Sequence, residues 1–390
     1  MSDASGSSAS GSGAASDPLL ALPAYAQVFD AWLGKGAPAL DAARRPIASY
    51  PARVAAMSSL MATLHDAGWS RYGWPAELGG RGGTILHRGA MWSALARHGV
   101  PGMALFEHLE ILAPVLVAMA RPAFVAEVLP RFLSGRELWC QGFSEPESGS
   151  DLAALRTRAE STGDGWRISG RKIWTSWARY ATWCLVLART GSTESRHRGV
   201  TAFVLDLRSP GVEVRAIEQA NGTDELAQVT FDDVFVPAER MVGELGRGWD
   251  VAMYILSHER GTFAWFRHCF LYAHLRQQLP HARAACDRAL GDALLDLAAV
   301  SATSHTALRS HEAGSMLGPR AAMTKLLLCE SERSANDWML ANDGDLAVGV
   351  HDDESAVLRQ DYLFSRIVTI YGGSQQMQLE TVAKRVLDLP

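Results

Sequence analysis

The chain has 390 residues, 48% of them hydrophobic, which is enough for two or three domains around well-buried cores. Its 37 basic and 42 acidic residues are spread along the chain for a net charge of -5, so nothing in the charge pattern suggests nucleic acid or an anionic membrane as partner. Five widely spaced cysteines (Cys140, Cys184, Cys269, Cys286, Cys329) without a C-x-x-C pair argue against a disulfide framework or a structural zinc site and fit a reduced, cytoplasmic setting.

Residues 1–22 read as a disordered N-terminal segment. The opening MSDASGSSASGSGAASD is rich in Ser, Gly and Ala, with neither the basic start nor the apolar core of a targeting peptide. No uninterrupted apolar run approaches the roughly 20 residues of a membrane span. Residues 23–136 read as an N-terminal helical domain. In YPARVAAMSSLMATLHDAG, Val54, Met57, Leu60, Met61 and Leu64 recur at spacings of three and four, and Gly68 ends the run. The following GWPAELGGRGG neither trails a clear strand nor ends in Lys-Ser/Thr, so it reads as a tight surface turn and not as a phosphate cradle.

Residues 137–236 change texture to short strands and read as a middle β-barrel or sandwich. LRTRAES and WRISGRKIW flank Gly163-Asp164-Gly165, a hairpin signal, and ATWCLVLART, GVTAFVLDL, GVEVRAI and AQVTFDDVFV add strands, with a turn at Ser209-Pro210-Gly211. Residues 237–390 return to the helical period in GWDVAMYILSHERGTFAWFRHCFLYAHLRQQL, DRALGDALLDLAAVSATSHTALRS and RAAMTKLLLCESERSANDWMLAND, the last closed by Gly344, before a final LETVAKRVLDL. The expected class is α+β, with helices, then strands, then a C-terminal four-helix bundle able to pack against partner subunits.

No metal motif is found: H-E-x-x-H is absent, and His351-Asp352-Asp353 reads as a solvated loop. G-x-S-x-G in a strand-turn-helix setting is absent too, which weakens a hydrolase reading. LWCQGFSEPESGSDLAALRTRAE starts as a strand and breaks at Pro146, and its Ser148-Gly149-Ser150-Asp151 is either a ligand-holding turn or a plain one. One hairpin later, Trp174, Thr175 and Ser176 offer an aromatic face and hydroxyl donors, or else Trp174 is a core residue, one of 12 tryptophans. Glu259 and Arg260, in YILSHERGTFAW, are either a solvated pair or a buried base beside a cation.

WCQGFSEPESGSDLAALRTRA, ISGRKIWTS, VTFDDVFVPAERMVGE, Gly248-Trp249 and IYGGSQQMQ with AKRVLDLP occur in one order over nearly the whole chain, and together they resemble the acyl-CoA dehydrogenase family. The resemblance implies a helical, β-barrel, four-helix-bundle architecture, an FAD between the last two domains, and a homodimer or homotetramer. It places Gln141, Phe143 and Ser144 on the strand lining the flavin, with Gly149 and Ser150 where the turn meets flavin and thioester. It also places Trp174, Thr175 and Ser176 beside the flavin ring, and Ser374 and Gln376 against the dinucleotide.

The implied reaction removes a proton α to a thioester carbonyl while a hydride leaves the β carbon for the flavin. It needs a carboxylate kept dry. Many members carry that glutamate before a glycine near the C-terminus, where this chain reads Tyr371-Gly372-Gly373-Ser374. A subset supplies it from the first bundle helix in an "ER" pair, and Glu259-Arg260 matches that register. The expected assignment is therefore Glu259 as catalytic base, with Arg260 orienting the base or the substrate carbonyl region and Ser150 touching substrate. The family's R-x-x-F-G and Q-x-x-G-G-x-G runs, which reach FAD from a neighbouring subunit, are missing. The expected substrate is an acyl thioester of coenzyme A or an acyl carrier protein, with an electron-transfer flavoprotein as acceptor. The alternatives are a flavin-dependent monooxygenase on the same scaffold and a non-catalytic subunit of a hetero-oligomer.

Overall fold

The computed structural model describes residues 19–282, 288–342 and 352–390. The Ser/Gly-rich start, Cys286, Gly344 and His351 lie outside the described residues.

Seven helices build the first unit: α1 (Leu22–Gly34), α2 (Pro38–Arg44), α3 (Tyr50–Asp66), α4 (Ile85–Arg97), α5 (Ala104–Glu107), α6 (Leu109–Met119) and α7 (Pro122–Leu133). Helix α3 starts on a proline in its first turn, buries Val54, Met57, Leu60, Met61 and Leu64, and ends where Gly68 turns left-handed. The GWPAELGGRGG segment closes on itself through a bridge between Trp74 and Gly82. A Cβ at Gly80 would lie within 2.1 Å of the Trp74 carbonyl oxygen, so glycine is required there.

The middle unit is one eight-stranded sheet of β1 (Trp139–Gly142), β2 (Arg158–Ser161), β3 (Gly165–Ser176), β4 (Trp183–Arg189), β5 (Val200–Asp206), β6 (Val212–Ala216), β7 (Leu226–Pro237) and β8 (Met241–Val242). The order is β6-β7-β3-β2-β4-β5-β8, with β1 parallel to β4. The sheet curls far enough that Cys140, Ile168, Val186, Phe203 and Val229, from five strands, share one core.

The third unit contains α8 (Gly248–Arg260), α9 (Phe263–Gln278), α10 (Arg288–Glu312), α11 (Ala321–Asn342), α12 (Asp353–Ser365) and α13 (Gln375–Arg385). Helix α11 packs against α9, α10, α12 and α13. The sequence period runs unbroken from Gly248 past Gln278, yet the helix breaks at Gly261, whose ψ of -86° leaves the helical well. Glu259 therefore sits in the last turn of α8, and Trp265 and Phe266 belong to a separate helix. No helix among the described residues is long and apolar enough to cross a membrane, and no group of three His, Cys, Asp or Glu among them could hold a metal ion.

Candidate active site

The end of α8 and the α12–α13 loop meet at Glu259. Its side chain is 9% exposed, and Oε2 has no hydrogen-bond partner. Gly372 faces it in a left-handed conformation (φ +66°), and a Cβ built there would lie 2.5 Å from Glu259 Oε1. The carboxylate thus fills the space that a side chain at position 372 would need. Arg260 turns elsewhere, with Nε donating to the Gly372 carbonyl at 3.1 Å, and Gln378 Nε2 donates to the Gly373 carbonyl at 3.2 Å. Burial pushes the Arg260 guanidinium down from its ordinary value, against the pull of the nearby Glu259 carboxylate.

Lys325, which the sequence pattern did not single out, is buried in α11 and sets its ammonium 4.0 Å from the centre of the Tyr371 ring. Its Cε lies 3.6 Å from the same vacant Cβ position at Gly372, so a buried cation and Glu259 flank one point. Ser374 caps α13, its Oγ accepting from Met377 N at 3.4 Å, and Gln376 is exposed on the first turn.

The β-domain residues form a second group. Gln141 and Phe143 lie on and just after β1, and the Ser144 carbonyl accepts from Ile173 N at 3.0 Å, joining this segment to β3. The chain then turns through a short bridge between Glu145 and Ser148, leaving Gly149 and Ser150 exposed. Glu145 anchors that turn: its carboxylate accepts from Arg156 N at 2.6 Å and Thr157 N at 2.9 Å, and Lys172 Nζ lies 2.8 Å from Oε1. Burial opposes the charge, but the Lys172 ammonium and the amide donors hold the Glu145 carboxyl below its ordinary range.

At the far end of β3 the register shifts between Lys172 and Thr175. Trp174 sits on this bulge at φ +58° and is 56% exposed, an unusual backbone state for so bulky a residue and a costly way to expose an indole. Thr175 is 1% exposed with Oγ1 unpartnered, and Gln141 Oε1 is a second buried acceptor without a partner. Both residues are among those that the family resemblance sets beside a flavin.

A charge cluster lies just past Trp174–Ser176. Trp177 N donates to the Glu225 carbonyl at 2.6 Å, and the Glu225 carboxyl is pushed up to about 7 by burial, against the pull of Arg267, Arg53 and the Tyr50 hydroxyl. The folded state holds this proton up to about pH 7, whereas the unfolded chain releases it near the ordinary 4.5. Stability contributed by the neutral form is therefore full below about pH 4.5 and is lost as pH rises to about 7. Glu225→Gln is expected to gain stability over wild type as pH rises from 5 to 8, levelling at about 3 kcal/mol, in urea unfolding at each pH. A gain that does not change with pH would show that Glu225 is ionised throughout.

Residues 39–136, 140–234 and 246–387 match the N-terminal, middle and C-terminal domain models of acyl-CoA dehydrogenase. The acyl-CoA dehydrogenase IpdE1 of Mycobacterium tuberculosis is 38% identical over 342 residues, covering 84% of this chain and 86% of that one. A solved Tcur3481-Tcur3483 steroid ACAD shares the fold at a TM-score of 0.80 and 23% identity, over 95% of this chain and 97% of that chain. The prolyl acyl carrier protein oxidase AnaB shares it at 0.78 and 18% identity, over 94% and 98%. With all three domains matched in order, the chain belongs to the acyl-CoA dehydrogenase family, flavoprotein oxidoreductases acting on CH–CH groups.

Proposed function

We propose that the chain carries out FAD-dependent α,β-dehydrogenation of an acyl thioester, with Glu259 as the base. The observation that carries this reading is the Glu259 carboxylate, buried, unpartnered at Oε2 and occupying the space that Gly372 leaves. Proton abstraction α to a thioester carbonyl needs a carboxylate held out of water, and Glu259 is so placed. Arg260, held on the Gly372 carbonyl, fixes the loop against which that carboxylate rests and orients the substrate carbonyl region.

Gln141, Phe143, Ser144, Trp174, Thr175 and Ser176 would hold the flavin ring, Gly149 and Ser150 the junction of flavin and thioester, and Ser374 and Gln376 the dinucleotide. When bound, FAD supplies the acceptor for the β-hydride. The exposed Trp174 indole supports this placement.

The carrier is coenzyme A or an acyl carrier protein, and an electron-transfer flavoprotein takes the electrons. Ile370, Met377, Leu379, Leu387 and Leu389 are exposed around α13, which supports a homodimer or homotetramer. Cys140, Cys184 and Cys329 are free thiols, which supports a cytoplasmic setting. A second reading, a non-catalytic subunit of a hetero-oligomer, is favoured by the missing R-x-x-F-G and Q-x-x-G-G-x-G runs.

Anaerobic mixing of the purified protein with a panel of acyl thioesters separates the readings. A yellow protein whose flavin bleaches supports the dehydrogenase. A chain that binds no FAD by itself supports the hetero-oligomer. Flavin that resists thioesters but is reduced through an NAD(P)H-dependent partner, then inserts oxygen into a substrate, indicates a monooxygenase.

A further inference from the structure

Between the first helices and the bundle lies a cavity of about 320 Å³, walled by residues of α2 and α3, the segment before α5, and helices α9, α11 and α12. Met57, Met103, Phe270 and Leu358 give it the apolar surface an acyl group requires. Arg53, Arg267, His274, Glu332, Asn336 and Asp361 line it as well. A saturated alkyl tail would strip water from these groups and return no hydrogen bond.

Part of this polar set is satisfied internally: Arg267 Nε donates to Glu332 Oε1 at 3.3 Å and Asn336 Nδ2 to the Glu332 carbonyl at 2.7 Å. Part is not. Arg53 commits one amino nitrogen to Gln360, while its Nε is buried without a partner. Burial also pushes the Asp361 carboxyl up from its ordinary value, against the pull of His274, Arg53 and Arg267.

The cavity lies near the proposed base: Lys325, which flanks Gly372 together with Glu259, and Glu332, which lines the cavity, are seven residues apart on unbroken α11, a rise on the order of 10 Å. Tyr371, adjacent to Gly372, is within electrostatic reach of Glu332 and Arg267, which line the cavity, and of Glu259. A thioester whose α carbon lies at Glu259 would reach this space with its far end.

We infer that the cavity is the subsite for the distal end of the acyl group, and that it selects an end bearing oxygen, as hydroxyl, ketone or carboxylate, over a saturated alkyl end. This rests on the reading of Glu259 as the base of a thioester dehydrogenase. Occupancy and chemistry are separated by measuring binding in the absence of turnover. The full-length Glu259→Gln protein, loaded with FAD where it takes it up, is titrated calorimetrically with octanoyl-CoA, ω-hydroxyoctanoyl-CoA, the methyl ketone (ω-1)-oxooctanoyl-CoA and suberyl-CoA.

At least one oxygenated thioester is expected to bind about tenfold or more tightly than octanoyl-CoA. Adding Arg53→Met should collapse that ratio toward unity and Arg53→Lys should keep part of it. If Arg53→Met does not fold, Asp361→Leu tests the same wall. Equal binding of all four, tighter binding of octanoyl-CoA, or binding of none overturns the inference. Selective binding with no flavin reduction in the wild-type protein instead sinks the dehydrogenase reading and leaves the subsite standing.

Discussion

Replacing Glu259 by Gln is expected to slow anaerobic flavin reduction by an acyl thioester on the order of 10²–10⁴-fold, with little change in flavin content or unfolding midpoint. The side chains are isosteric and Oε2 makes no hydrogen bond that the substitution would break, so the loss should fall on proton abstraction alone. The reciprocal change is sharper. Gly372→Glu must place a Cβ about 2.5 Å from Glu259 Oε1 in a left-handed backbone, so it should both destabilise the loop and set two carboxylates against each other. The double variant Glu259→Gly with Gly372→Glu removes the collision and puts a carboxylate back beside the same space. It is expected to recover part of the rate that Glu259→Gln loses. If Glu259→Gln reduces its flavin as fast as wild type, another group is the base.

The helix, strand, helix order was legible because it rests on local periodicity, which survives in any single stretch such as Val54 to Leu64. The meeting of Glu259 with Gly372 was not legible as a contact, because these residues lie on different elements and come together only through α11, which packs against α8, α12 and α13. The same limit hid Lys325, whose helical spacing looks like that of any surface lysine until α11 is placed beneath Tyr371. Apolar periodicity carried the long run through Gly261 because a single glycine does not interrupt it, whereas the backbone does. The left-handed Trp174 was invisible for a further reason. Its conformation comes from the shift in β3–β7 pairing, a tertiary constraint that overrides the preference of a bulky residue.

Lys172→Met is expected to cost about 3–5 kcal/mol, the largest stability loss of any single change considered, because it strands the buried Glu145 carboxylate. Lys172 is 0% exposed and divides its ammonium between Glu145 Oε1 at 2.8 Å and the Phe143 carbonyl at 3.1 Å. The pair ties the strand that carries Gln141 and Phe143 to β3, which carries Trp174 and Thr175, so both edges of the proposed flavin wall hang on it. Flavin content should therefore fall together with stability. Removing both charges, as Lys172→Met with Glu145→Gln, leaves no stranded ion and keeps an acceptor for one of the Arg156 and Thr157 amides, so it should be milder than Lys172→Met alone. Urea unfolding followed by tryptophan fluorescence, with flavin absorbance as the second signal, measures both effects. A double variant as unstable as the single one would mean that Lys172 acts through packing of its aliphatic stem and not through charge.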